Sequence, residues 1–373
     1  VGLDKKLEFS GFVSGFKRGD TIFNKLRPYL SKVYYAENDG GLFGELLVIR
    51  PKNLLKPRYQ YYILGSRDFI EIVNSATEGT KMPRANWETT IKLVQLPIPP
   101  LHEQQTIVTY LDEKTTLVDE LIRKKQQKIQ LLKEKRTALV NHVVTKGLDP
   151  EVEMKDTDSK GINEIPQHWV ISRLKFISTV RSGFALNGSM KNQNTVTYPY
   201  LRVANVQDGY LNLSTITEVE IDPDSANRYL LKYGDLLMNE GGDYDKLGRG
   251  CVWKEEISSC LHQNHVFAVR MNPGINSEWI NLVTLTSYAR LYFQLNCKQS
   301  TNLASISQSS IKELPVLLPP THEQEEIITY LDEQTQLIDT TIQQEEQKIE
   351  LLKEYRQSLI SNVVTGKLCV CYS

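Results

Sequence analysis

The 373-residue sequence is short of several things, and each shortage narrows the reading. No run approaches the ~18–20 apolar residues that a bilayer-spanning helix needs. No charged-then-apolar segment of the signal type opens the sequence. The five cysteines, at 251, 260, 297, 369 and 371, are few, odd in number and all in the second half. That is no secreted disulfide framework, and it points to a reducing cytoplasm. Neither charge dominates: 44 Lys and Arg stand against 45 Asp and Glu, so the whole chain has no basic excess to advertise nucleic acid. Catalytic signatures are missing as well. The phosphate-loop pattern fails at the last position of Thr365-Gly366-Lys367-Leu368. No Asn/Asp-Pro-Pro-aromatic run of an amino-methyltransferase occurs, and Pro223-Asp224 is not followed within thirty residues by the acid-x-Lys of a restriction nuclease. Cys251, Cys260, His262 and His265 lack the paired spacing of a zinc site and read as packing or loop residues. His102 and His322 sit in helix-entry turns with no nucleophile nearby in sequence, and capping is the role that fits them.

What the sequence does have is a repeat. Pro99-Pro100-Leu101-His102-Glu103-Gln104 returns as Pro319-Pro320-Thr321-His322-Glu323-Gln324, and Tyr110-Leu111-Asp112-Glu113 as Tyr330-Leu331-Asp332-Glu333. Aligned at a constant offset of 220, residues 99–148 and 319–368 share 28 identities in 50 positions. A fainter echo precedes each copy: Gly19-Asp20 with Asn24 matches Gly234-Asp235 with Asn239. If one unit is 220 residues long, the first should begin about 70 positions before Val1. Residues 1–97 therefore read as a first domain lacking its N-terminal part, a naturally shorter domain being the alternative.

Each copy reads as one long helix. The two prolines suit a first turn, and Glu103 or Glu323 meets the positive end of the helix dipole. From Glu103 to His142 there is neither glycine nor proline, which makes a rod of roughly 60 Å. Apolar residues at 107, 111, 118, 122, 129, 132, 139 and 143 return at 327, 331, 338, 342, 349, 352, 359 and 363. One stripe this narrow needs a partner, and the other helix is the economical one. Charge agrees: residues 98–148 carry +3 and 319–373 carry −6, between segments of +5 (1–97), −4 (149–165) and +1 (166–318). In an antiparallel pair crossing at mid-helix, Arg123, Lys124 and Lys125 would lie near Glu345 and Glu346. Two solvated faces meeting different partners are the alternative.

Between the helices, acidic and polar residues 149–165 read as a linker that turns the chain round. From 166 to 318 the signals are mixed. Tyr200–Val203, Asp235–Met238 and Val266–Val269 read as strands and Trp279–Phe293 as a helix, matched earlier by strand Leu46–Ile49 and helix Pro57–Val73. The layout (domain, helix, domain, near-identical helix), the doubled Pro-Pro-x-His-Glu-Gln entry and Pro166-Gln167-His168-Trp169 resemble the specificity subunit of a type I restriction–modification system. The departure from the family pattern is that no counterpart of Pro166–Ile221 stands ahead of residues 1–97.

The resemblance implies an α+β fold. It would have two mixed α/β target recognition domains (1–97 and 166–318) separated by two long antiparallel coiled-coil helices (98–148 and 319–373), a pseudo-two-fold internal repeat. It also implies a non-catalytic subunit without a cofactor that reads a bipartite, asymmetric target in double-stranded DNA. Its partners would be methyltransferase subunits, two of them, and motor/endonuclease subunits, with no membrane. The alternatives are a coiled-coil adaptor with protein-binding arms or an inactive remnant of a specificity subunit. For DNA contact, base edges want Arg, Lys, Asn or Gln and phosphates any donor. The best loop, 239–249, has glycines for close backbone approach, with Tyr244, Lys246 and Arg249. Its equivalent carries Asn24, Lys25, Arg27 and Lys32. A second polar run, 300–310, offers Asn302 and Gln308, matched by Lys81, Arg84 and Asn86. A solvated turn or a helix cap is the alternative role for each of these loops.

Overall fold

The computed structural model describes residues 14–79, 81–186, 195–242, 244, 247–299 and 304–370. Contacts divide the chain into two compact units, Val1–Gln130 with Ile342–Ser373, and Leu131–Thr341. The division falls inside the two long helices, Leu101–Lys146 and Thr321–Val364, so each unit owns part of both. The sequence reading made each helix an element of its own. The difference arises because each globular part buries one end of each helix.

In the first unit, antiparallel strands lie in the order Val33–Tyr35, Thr21–Asn24, Leu46–Ile49, with Ile22 opposite Val48. The expected helix Pro57–Val73 is two, Pro57–Leu64 and Arg67–Ser75, because Gly65 ends one and the Ser66 hydroxyl caps the next by accepting from the Phe69 amide. Phe23, Tyr59, Tyr62, Phe69 and Val73 form the core. Ile107 and Leu111 close it from the first long helix, and Leu359, Ile360, Val363 and Val364 from the second.

The second unit repeats this plan on a larger scale. Its sheet order is Gly250–Val252, Leu236–Asn239, Val266–Met271, Ser178–Ser182, all antiparallel. Expected helix Trp279–Phe293 is again two, Ser277–Thr284 and Ser287–Leu295, with Thr286 capping the second. A smaller sheet pairs Val196–Leu201 with Thr217–Ile221 and, in parallel, with Leu261–His262. The core gathers Trp169, Trp279, Val283 and Phe293 with Val140, Val143 and Val144 of the first long helix and Ile327 and Leu331 of the second. Residues 149–165, expected as a linker, fold instead into a hairpin of Met154–Asp156 on Glu164–Pro166, because Ile162 and Ile165 have an apolar core to enter.

The repeat therefore extends beyond the helices into the globular parts, and an ion pair on a buried aspartate marks it in both. Asp20 takes Arg50 at 2.9 and 2.6 Å, and Asp235 takes Arg270 at 2.7 and 2.5 Å. Each carboxylate also accepts from the amide three residues earlier, Lys17 or Lys232. The Arg50 hydrogen bond leads in holding the Asp20 carboxyl below its ordinary value. Asp235→Ala would leave Arg270 and the nearby Arg181 without their acid, a loss of about 3–5 kcal/mol that urea melts of the purified chain will measure. The two units differ at one sheet edge. Val266–Met271 is paired on both sides, whereas among the described residues Leu46–Ile49 is paired on one, and its side chains are correspondingly half-exposed.

Candidate nucleic-acid interface

Strand Leu236–Asn239 delivers buried Asn239 to one end of its sheet, where the side-chain amide donates to Val206 O at 2.8 Å and Val203 O at 3.3 Å. The chain then turns through Gly241–Gly242, which pair with Ala304–Ser305. So the two candidate loops of this unit, remote in sequence, are joined by backbone hydrogen bonds. Ile306 N adds another by donating to Glu240 O at 2.7 Å. Tyr244 is exposed on this turn and Arg249 half-buried at its exit, its Nε shielded from solvent with no hydrogen-bond partner among the described residues. Lys246 and Asn302 lie outside the described residues. Gln308 is tied down, its amide donating to Val180 O at 2.5 Å.

Gly248 in this loop and Gly250 just after it are set by the protein's own packing. At Gly248, whose φ is +72°, a Cβ would sit 2.3 Å from the Phe293 ring, and at Gly250 it would sit 1.8 Å from Leu237 O. These glycines permit close packing within the protein.

The first unit joins its two loops in the same way. Lys25 O accepts from Ala85 N at 2.9 Å, and Arg27 N donates to Pro83 O at 2.8 Å. Glu45 binds both loops, with Lys25 Nζ at 3.4 Å and Arg84 Nε at 2.9 Å. Burial raises the Glu45 carboxyl, but these two donors bring it below its ordinary value. At the place of the Lys25–Glu45 contact the second unit has the acid and base exchanged, on one loop only: His265 Nδ1 meets Glu240 Oε2 at 2.5 Å, where Glu240 follows Asn239 as Lys25 follows Asn24. Asn24 accepts from Leu26 N, and Asn86 from Glu88 N and Thr89 N, both holding turns. Arg27, Lys32 and Lys81 are exposed.

Other polar residues gather at this end of the second unit that the sequence reading passed over. Arg202 follows strand Val196–Leu201, its Nε shielded without a hydrogen-bond partner among the described residues, and Gln263 Oε1 accepts from Val203 N at 3.3 Å. Nothing in the sequence marked them, since single polar residues after a strand have no period. Cys251 and Cys260 are packed in an apolar cluster, and burial pushes both thiols up to about 12.

On the helices, Lys125 Nζ reaches Glu345 Oε2 at 2.7 Å and Lys128 Nζ reaches Oε1 at 3.0 Å. Glu345 is buried, and its hydrogen bonds from Lys125 and then Lys128 bring its carboxyl down to about 2. Arg123 turns to Gln127 of its own helix at 3.3 Å, and Lys124 and Glu346 are exposed. The shared helix-entry signature has a physical meaning: Gln104 and Gln324 are both buried, each donating to the carbonyl of its own first entry proline, Pro99 at 2.8 Å and Pro319 at 2.9 Å.

Two mixed α/β units built on one repeat, each with part of both long helices, define the architecture of a known class of subunit. The family model for the type I restriction modification DNA specificity domain matches residues 6–131 and 166–353, and the chain belongs to that family. It is 27% identical over 327 residues to the type I restriction enzyme EcoKI specificity subunit of Escherichia coli strain K12, covering 86% of this chain and 68% of the relative. With the StySPI specificity subunit of Salmonella potsdam it shares 24% over 323 residues, 86% of this chain and 67% of the relative. Among solved structures it is similar to a chain from work on assembly and conformational transition of the type I R-M system (TM-score 0.73, 19% identity, 95% of this chain and 83% of that one). It is also similar to the HsdS subunit from Thermoanaerobacter tengcongensis (TM-score 0.54, 19% identity, 95% and 82%). At such identities the likeness is one of fold.

Proposed function

We propose that the chain is the non-catalytic specificity subunit of a type I restriction–modification complex. It reads a bipartite, asymmetric site in double-stranded DNA and docks two methyltransferase subunits, with motor/endonuclease subunits completing the assembly. One observation carries the reading: in each unit two sequence-remote polar loops are joined at the end of a sheet, in equivalent places but with different side chains. Equivalent placement suits two readers of one kind, and different side chains suit two different half-sites. In the second unit Tyr244, Arg249 and Arg202 are the proposed contacts. In the first they are the exposed cations Arg27, Lys32 and Lys81. Target recognition domains 1–97 and 166–318 remain the proposed readers.

Docking of two identical subunits is supported by a repeated surface. Leu117 and Leu351 are 50% and 63% exposed in the first unit, and their repeat equivalents Leu337 and Leu131 are 63% and 64% exposed in the second. Exposed leucines occur singly on most surfaces, but the same two repeat positions exposed in both units suit one partner bound twice.

The test is co-expression with the cognate methyltransferase, followed by sequencing of the host DNA for N6-methyladenine. The expected result is a split motif with two unlike halves. Arg249→Ala and Arg202→Ala should each relax one half only, at a binding cost of about 1–3 kcal/mol if the residue touches a base. A stable complex that methylates nothing would sink the DNA-reading role and leave the adaptor or the inactive remnant.

A further inference from the structure

The two long helices are near-copies, so a stripe on one fits a stripe on either. A chain with two such helices can pair the first with the second, or like with like between two copies, and apolar matching alone does not choose. The ion pairs fall into two kinds. Arg356 Nε meets Asp119 Oδ1 at 2.9 Å in the first unit, and Arg136 Nε meets Asp339 Oδ1 at 3.2 Å in the second. Arg136 and Arg356 occupy one repeat position, and Asp119 and Asp339 another. Each helix therefore carries both halves of this clamp, which any antiparallel pairing in this register would satisfy.

The Lys125–Glu345 contact is different. These two residues occupy the same repeat position, 220 residues apart, and they meet each other. Lys128 adds a second cation to the same carboxylate, and Lys348, one turn along the second helix, approaches it at 3.4 Å. Two first helices paired at this point would set Lys125 and Lys128 against their own copies with no acid there. Two second helices would bring two buried Glu345 carboxylates together and lose Lys125, the nearest cation, leaving only the two Lys348, at the repeat position of Lys128, to serve both. A buried charge facing its like is costly, and one buried polar position is a proven way for helices to select partner and register.

We propose that the Arg–Asp clamps set the antiparallel register common to both repeats, and that the Lys125–Lys128–Glu345 cluster makes the first helix choose the second over a like helix of another copy. Sequence divergence inside an otherwise maintained repeat is what the device consists of. Lys125 and Glu345 differ because they face each other.

Four versions of the 373-residue chain test this by thermal melting, with mass by light scattering: wild type, Glu345→Gln, Glu345→Lys, and Glu345→Lys combined with Lys125→Glu and Lys128→Glu. Glu345→Lys should melt lower by about 5 °C or more and self-associate as stripes come apart. Glu345→Gln should fall between it and wild type, and the triple variant, which restores opposite charges, should regain most of the loss. A triple variant melting no higher than Glu345→Lys would overturn the proposal. So would Glu345→Gln as damaging as Glu345→Lys, since charge sign would then not matter. If Glu345→Lys does not fold at all, the triple variant alone decides: a folded monomer supports the device and an unfolded one removes it.

Discussion

Leu117→Asp together with Leu337→Asp is expected to strip the methyltransferase subunits from the complex while the chain itself melts unchanged. Leu117 is half and Leu337 more than half in solvent, so a carboxylate there costs the fold little. Placed at the centre of a docked partner, the same carboxylate is desolvated without a counter-charge. Loss at such a central position is at least about 2 kcal/mol, roughly thirtyfold in affinity, and a buried acid adds to that. The repeat makes the prediction sharper than a simple loss. Leu117→Asp alone should leave one methyltransferase bound, Leu337→Asp alone the other, and the double variant none. The mass of the co-purified complex by light scattering reads the three states directly. Retention of both subunits by the double variant would remove these leucines from the interface. A drop in melting temperature would assign them to the fold instead.

A second large effect is expected of acid, through His262. This imidazole is 1% exposed, and its Nδ1 lies 2.7 Å from Val266 O, so that nitrogen carries the hydrogen. Burial, with Arg181 and Arg270 nearby and Asp235 opposing them, lowers its pKa from 6.5 to about 4. The folded chain thus holds a neutral imidazole where the unfolded chain would take a proton. Stability from His262 is complete above pH 6.5 and is lost as pH falls from there toward 4, about 3 kcal/mol in all. Paired carboxylates act lower: Glu345, at about 2, gives up its contribution only as pH falls from the ordinary glutamate range toward that value. Urea melts at pH 7, 5.5 and 4.5 sample the His262 window while staying above that of Glu345. Trp169, Trp253 and Trp279 are buried in the second unit while Trp87 in the first is 38% exposed, so tryptophan emission follows the second unit. His262→Gln, neutral at every pH, should flatten the slope between pH 6.5 and 4.5. An unchanged slope in that variant would place the acid sensitivity elsewhere.

The long helices were legible because their signal is local. A period near 3.6 over forty residues, with proline at the start, specifies helix whatever surrounds it. All sixteen stripe residues, from Ile107 to Val143 and from Ile327 to Val363, are buried or half-buried. Short elements fared worse. Pro57–Val73 and Trp279–Phe293 looked like single helices because the apolar spacing runs on across Ser66 and Thr286, where a hydroxyl instead takes an amide and starts a new helix. The hairpin at 154–166 was hidden by its acidic composition, since only Ile162 and Ile165 point to a core and two residues make no period.

By itself, the sequence determined the repeat, the two helices, their stripes, the mixed character of the globular parts and the family they resemble. From charge it also set Arg123, Lys124 and Lys125 near Glu345 and Glu346 in an antiparallel pair. Only the tertiary structure decided that each unit takes one end of each helix, that loops some sixty residues apart meet at Gly241 and Ser305 or at Lys25 and Ala85, and that Lys128 joins Lys125 on Glu345. The reason is one of range. Periodicity and capping act within a few residues and are written along the chain. A contact between residues 220 apart exists only once the path of the backbone has brought two surfaces together, and no local pattern records that path.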